Sequence, residues 1–249
     1  MESLANRPKI KIASKPVLIS NTPNPDDVII KSSIMYHFQC SEQEAKQIME
    51  ESEKIDPEYK AKSMNIILHK EERRELEQVS FTFQIPISLS ILTHLTRHRM
   101  HSLLIPEFTP LWDFNNFIIP ATIQAKSELK NIFINAQKEN MKIFEEFKNS
   151  NVSDEDLIYF YLGCQMLNVV TTMNGRTLQW ILHLRCCNKA QWQIRNIAKE
   201  LAKQVSSVAP LLGKGLGPTC MTDLVCYEGK ECCGLINSLL ENRTVEKIK

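Results

Sequence analysis

The sequence predicts an α+β fold dominated by helix, and three observations carry that reading. Residues 79–85 alternate and include Phe81, Thr82 and Phe83, the pattern of a half-buried strand. Residues 121–148 place Leu129, Ile132, Phe133, Ala136, Met141, Phe144 and Phe147 where a long amphipathic helix would bury them. Helix-start signals recur along the chain. In Ser41-Glu42-Gln43-Glu44 a serine and a glutamate three residues later form a capping box.

The elements follow in order. Ile10-Lys11-Ile12 and Pro16-Val17-Leu18-Ile19-Ser20 read as short extended segments between prolines. The box at Ser41 opens a helix to about Lys54, and Asp56-Pro57 starts another that ends near Lys70. After the strand at 79–85, Pro86 opens a helix that delivers Arg97 and His98. Residues 103–116 contain Pro106 and Pro110 and read as a loop suited to touching substrate. Ser153-Asp154-Glu155-Asp156 caps a helix reaching about Leu167. Residues 174–185 and 189–208 are helices, the second with Ala190, Ile194, Ile197, Leu201 and Val205 on one side. Pro210, Gly213, Gly215, Gly217 and Pro218 then end regular structure, and there is no internal repeat.

At 249 residues the chain is long enough for one domain with a substantial core, and no Gly/Ser-rich or Pro-rich linker interrupts it. The division expected is a main domain at 1–212 and a cysteine-containing tail at 213–249. Thirty basic against 29 acidic residues give a net charge of +1, which offers nothing to a nucleic-acid polymer. No apolar run approaches the ~20 residues of a membrane span, and residues 1–11 lack a signal-peptide core. A cytoplasmic protein without membrane contact is expected, its eight cysteines reduced.

Two segments carry chemistry. On a helix, His94, Arg97, His98 and His101 follow i, i+3, i+4, i+7 and share a stripe, while Leu89, Leu92, Leu95 and Arg99 lie elsewhere. Imidazoles and guanidiniums together suit a ligand with phosphates and an aromatic system. The plain alternative is a solvated basic face with one structural histidine. His94 and His98 also have metal-pair spacing, but Arg97 beside them opposes a dication and no HExxH is present, so no metal site is assigned. In the second segment, Leu178, Ile181, Leu182 and Arg185 share one face, so Arg185 extends a stripe expected to be buried. Its guanidinium needs a partner there, either a buried carboxylate or a ligand carbonyl or anion.

Both segments resemble the flavin-dependent thymidylate synthase family, whose hallmark is Arg-His-Arg-x-x-Ser followed by Asn-Glu, a Ser and an Arg. Arg97-His98-Arg99-Met100-His101-Ser102 matches its first half. Leu76-Glu77-Gln78-Val79-Ser80-Phe81-Thr82-Phe83 resembles the strand leading into it. Asn174-x-Arg176, Leu184-Arg185 and Ala190-Gln191-Trp192-Gln193-Ile194 resemble the later block, and the similarity runs from about Asn24 to Pro210. The departures are specific. Leu104 and Ile105 replace the Asn and Glu, Glu107 the Ser, and Thr109 the Arg. His94 stands where the family carries Gln, Trp180 replaces a polar residue, and no basic residue lies near Asn168.

The resemblance implies a mixed or antiparallel sheet flanked by helices, a homotetramer, and FAD held between subunits. It implies transfer of a methylene group from methylenetetrahydrofolate and reduction by NADPH, converting dUMP to dTMP. Arg97, His98 and Arg99 would hold the FAD diphosphate and ring edge, Asn174 would bond the flavin, and Lys189 would add a cationic contact. His94, Ser102, Glu107 and Arg185 fall at the substrate end, with Arg185 as the catalytic group that polarises the pyrimidine carbonyls. Ser102 fits a role in orienting local backbone better than one as nucleophile. The lost groups hold the uridylate phosphate in the family, so the alternative is a flavin-dependent methylase acting on another pyrimidine or aromatic ring.

Cys220, Cys226, Cys232 and Cys233 cluster in sequence as C-x5-C-x5-C-C, which is not the paired-knuckle spacing of a zinc site. Free reduced thiols are the expectation. Resemblance to Gly-Pro-x-Cys…Cys…Cys-Gly tails in the family leaves a Zn²⁺ or disulfide role open. Cys186 or Cys187 would act as a nucleophile only with a nearby base and a lowered pKa.

Overall fold

The computed structural model describes residues 12–107 and 114–246. The expectations for Ile10, Lys11, Thr109 and Pro110 lie outside the described residues. In chain order the elements are β1 (Val17–Asn21), α1 (Pro25–Phe38), α2 (Glu42–Ile55), α3 (Tyr59–His69), β2 (Ser80–Ser88), α4 (Leu89–Leu95), β3 (Ser102–Leu104), α5 (Ala121–Gln124), α6 (Ser127–Asn149), α7 (Asp154–Leu157), β4 (Met166–Asn174), α8 (Gly175–Arg185), α9 (Trp192–Val208), α10 (Pro210–Gly213), α11 (Thr219–Thr222) and α12 (Leu235–Glu246). The strands form one sheet in the order β1-β2-β4-β3. β1 runs antiparallel to β2, with Val17 opposite Gln84, Leu18 opposite Phe83 and Asn21 opposite Phe81. The α+β expectation holds in this form: a small antiparallel sheet with helices.

Two compact units share the chain, and the first contains Ile85–Arg97 and Leu103–Val170. The expected helix from Pro86 begins only after Ser88, because β2 continues through the proline. β1 pairs with β2 no further than Gln84, so Pro86 removes no N–H from that ladder. The first amides of α4 are satisfied without a side-chain cap: Leu89 N–H donates to Gln165 O at 3.0 Å and Ser90 N–H to Gly163 O at 2.9 Å. The expected helix to Leu167 is one turn of α helix followed by a 3₁₀ turn (Ile158–Phe160), and β4 replaces its end. In β4 Leu167, Val169, Thr171 and Met173 are buried at strand spacing, period two. Phe114, Phe144 and Leu157 form a local core, with Phe114 and Tyr161 stacked at 5.1 Å.

The expected helix 121–148 breaks at Ala125-Lys126, where Lys126 turns extended, and becomes α5 and α6. Phe144 is buried as expected, but Leu129, Ile132, Met141 and Phe147 are not; Ile132 is 59% exposed. Among the described residues Phe133 packs on Phe117 and Phe147 on Phe160, while Leu129, Ile132 and Met141 stay exposed.

The second unit contains Lys15–Gln84, His98–Ser102 and Thr171–Lys249. The capping box forms as expected, Ser41 Oγ accepting from Glu44 N–H while Glu44 Oε2 accepts from Ser41 N–H. α1 is an element the sequence reading did not assign. Pro25 sits in its first turn beside Asp26 and Asp27, a start signal of its own. Asp26 also caps a second helix, since its carboxylate accepts from Leu211 N–H at 2.8 Å and Leu212 N–H at 2.9 Å at the start of α10. Ile29, Ile30, Met64, Leu76, Phe81, Leu178, Leu182, Leu201 and Val205 are all buried in this unit's core. On β1, Gln204 of α9 accepts from Leu18 N–H at 2.6 Å and donates to Pro16 O at 2.7 Å. Beyond Pro210, where no regular structure was expected, α10, α11 and α12 are short helices.

Candidate functional site

The second unit gathers the end of β4, helix α8 and the segment from His98 to Ser102. Asn174 is the N-cap of α8: its Oδ1 accepts from Thr177 N–H at 2.8 Å, so the amide expected to meet flavin is also fixed in place by the helix. Gly175 follows because nothing larger fits. A Cβ there would sit 2.7 Å from Leu76 O and 3.0 Å from Val79 Cγ2. Arg176 donates to Glu77 Oε1 at 2.6 Å, so these two motif segments are tied by an ion pair that sequence reasoning missed.

At the other end of α8, Arg185 Nε donates to His98 Nε2 at 2.9 Å. The bond fixes the histidine's chemistry. A guanidinium only donates, so Nε2 keeps its lone pair and the neutral ring carries its proton on Nδ1. Burial, then the Arg185 charge and His101, push the His98 pKa down to about 4, so the ring is neutral near pH 7. Arg185 is half-buried, and sequence had offered it a carboxylate or a ligand but not an imidazole.

His101 and Ser102 meet on Thr171. The Thr171 hydroxyl donates to Ser102 O at 2.8 Å, so its 2.6 Å bond with His101 Nδ1 must come from the ring N–H. This contact engages the Ser102 backbone carbonyl and not its hydroxyl. Arg99 is exposed and, among the described residues, has no hydrogen bond or ion pair.

The first unit holds His94, Arg97 and Glu107. The stripe His94, Arg97, His98, His101 does not exist as one helix face, because α4 ends at Leu95 with Thr96 as its C-cap. His94 lies in the last turn of α4, half-buried, whereas Arg97 is exposed in the turn that follows and, like Arg99, is unpaired among the described residues. Glu107 is exposed, as are Leu104 and Ile105, and Asn168 Oδ1 accepts from Ala13 N–H at 3.2 Å. Lys189, in the second unit, is exposed and pairs with Glu231 at 3.2 Å. Neither Cys186 nor Cys187 has the lowered pKa of a nucleophile; burial pushes Cys186 up to about 12 and also raises Cys187.

Residues 17–211 match the family model described as "Thymidylate synthase complementing protein". The chain belongs to the flavin-dependent thymidylate synthase family. It is 32% identical over 237 residues to the flavin-dependent thymidylate synthase of Clostridium tetani, covering 87% of this chain and 92% of that protein. It is 28% identical over 224 residues to the one from Geobacter sulfurreducens, covering 88% and 94%. The fold is shared with the UMP/dUMP methylase PolB from Streptomyces cacaoi, solved bound with 5-Br dUMP, at TM-score 0.65 and 14% identity over 83% of this chain and 96% of that one. Flavin-dependent thymidylate synthases are methyltransferases that use FAD, with methylenetetrahydrofolate and NADPH as co-substrates. Among the described residues the guanidiniums of Arg97 and Arg99 are exposed and unpaired, a chemistry compatible with an anionic diphosphate such as that of FAD. Among the described residues no helix is long and apolar enough to cross a membrane.

Proposed function

We propose that the chain is a cytoplasmic, homotetrameric methylase of a pyrimidine nucleotide, with dUMP to dTMP as its reaction. The observation that carries this is the bond from Arg185 Nε to neutral His98. It fixes the plane of a guanidinium, whose five N–H donors include ones suited to a pyrimidine carbonyl. Donating there stabilises negative charge as the ring C5 becomes nucleophilic. Arg97 and Arg99 grip the FAD diphosphate, Asn174 bonds the flavin, and Lys189 adds charge. His94, Ser102 and Glu107 line the substrate end. When bound and reduced, FAD would supply the hydride that completes the methyl group. The exposed Leu129, Ile132 and Met141 of α6, with Ile132 at 59% exposure, support assembly from several copies.

A second substrate has its own support. Leu104 and Ile105 present apolar side chains, and Glu107 a carboxylate, where the family's polar clamp would meet the uridylate phosphate. A carboxylate repels that phosphate. Anaerobic single turnover separates the readings: FAD-loaded protein is reduced with NADPH, then given methylenetetrahydrofolate and dUMP, UMP or dCMP. The proposal expects dTMP. A methylated product from UMP or dCMP alone transfers the assignment to that nucleotide, and no methylated product from any of them overturns the reading.

A further inference from the structure

We infer that Cys187, Cys220, Cys226 and Cys233 form a thiolate site for Zn²⁺. These cysteines, with Cys186 and Cys232, line one pocket of about 330 Å³ in the second unit. Their thiols are near enough to influence one another: Cys220 feels Cys187, Cys226 and Cys233, and Cys187 is linked in the same way to Cys226 and Cys233. Sequence spacing hid this, because the fourth group comes from the turn after α8 and not from the tail.

A second observation points to metal rather than chance clustering. The amide two residues downstream donates to the sulfur at Cys187, where Lys189 N–H reaches Sγ at 3.4 Å. Gly234 N–H makes the same i to i+2 bond to Cys232 Sγ at 3.4 Å, and the amides of Glu228 and Leu235, placed likewise, favour the charged form of Cys226 and Cys233. Asn188 Nδ2 adds a donor to Cys233 Sγ at 3.6 Å. A protonated thiol is a poor acceptor, so such donors serve sulfur that carries charge, as a metal-bound thiolate does; without metal Cys187 gives its proton to Glu228 Oε1 at 3.5 Å, and the ion would displace that proton. Cys220 lacks this pattern and enters the set by its place among Cys187, Cys226 and Cys233, whereas Cys186 is buried more deeply and packs as a small apolar residue.

Among the described residues no three potential ligands are yet drawn together to hold a metal ion. The sulfurs must close in on the ion, and the partial exposure of Cys187 and Cys226 and the greater exposure of Cys233 leave those side chains unconfined. Four Zn–S bonds form as four S–H protons leave to solvent, giving the tetrahedral all-sulfur set that Zn²⁺ favours. Cys187 lies two residues after Arg185, so the ion would pin the C-terminal segment to the turn that holds the candidate catalytic group.

Protein prepared anaerobically with reductant and stripped of metal tests this with Zn²⁺ and Co²⁺ as the only probes. One equivalent of metal per chain is expected, with sulfur-to-cobalt charge transfer and the visible bands of tetrahedral Co²⁺. Cys220→Ser should weaken binding by more than ~100-fold, beyond the 10–100-fold of losing an outer-shell partner, whereas Cys40→Ser should bind normally. In the unaltered chain, Zn²⁺ should shield Cys187, Cys220, Cys226 and Cys233 from alkylation and leave Cys40 reactive, a readout that needs no variant to fold. Alkylation unchanged by Zn²⁺, a Cys226–Cys232 disulfide in the native protein, or iron with sulfide in the isolated protein each overturns the assignment.

Discussion

His98 accepts a hydrogen bond from Arg185 Nε at 2.9 Å, across 87 residues of sequence, and is held neutral by burial first and by the Arg185 charge second. With the pKa lowered from 6.5 to about 4, the unfolded chain binds the extra proton over that interval and the folded chain does not. Stability is therefore complete above pH 6.5 and falls as the pH drops towards 4. His98→Gln keeps an acceptor for Arg185 but cannot take up a proton. Its melting temperature should fall less than the wild type's between pH 6.5 and 4; buried His183, shifted in the same direction, remains in both proteins. Parallel melting curves would remove His98 from the account.

Arg185→Lys should fold and bind flavin but lose turnover by about 10²–10³-fold, the usual loss on removing a preset donor to a developing oxyanion. A lysine carries the charge without the planar fork that His98 orients. Single-turnover rates on flavin-loaded protein measure this, and turnover near the wild-type rate would make Arg185 structural.

Arg97→Ala with Arg99→Ala should release FAD. Each charge-assisted hydrogen bond contributes about 1.5–3 kcal/mol, so losing both should weaken binding by more than roughly 100-fold. Flavin fluorescence titration reads the affinity. Wild-type affinity in the double variant would leave the cofactor to other residues.

Gly175→Ala should destabilise by about 1–3 kcal/mol, the range for forcing atoms into a filled space, because the new methyl meets the carbonyl oxygen of Leu76 at 2.7 Å. Gly229→Ala meets nothing within 4 Å and carries only the cost of its φ of +54°. Chemical denaturation of the two variants should rank them in that order.

Local signals survived the passage from sequence to structure better than boundaries did. The capping box at Ser41 involves residues three apart, so the chain needs nothing distant to form it. β4 was lost because a good N-cap at Ser153 and a following apolar run resemble a helix until the period-two burial of Leu167, Val169, Thr171 and Met173 is counted. α4 is shorter than expected because its start depends on carbonyls of Gly163 and Gln165, far along the chain. The family motif named Arg97, His98, Arg99 and Arg185, but the partner of Arg185 was illegible: it depends on a fold that brings the end of α8 to the segment after α4. Asn174 was legible as a motif residue, yet only the structure shows it working as a helix cap.

Gln204 has a consequence for how the molecule keeps to itself. β1 lies at the margin of the sheet, and its Leu18 N–H and Pro16 O would otherwise offer a template to any passing extended chain. The single amide of Gln204 occupies both, one accepting and one donating, as a neighbouring strand would. A side chain thus stands in for a fifth strand and ends the sheet's growth, keeping this border from seeding fibrils between molecules.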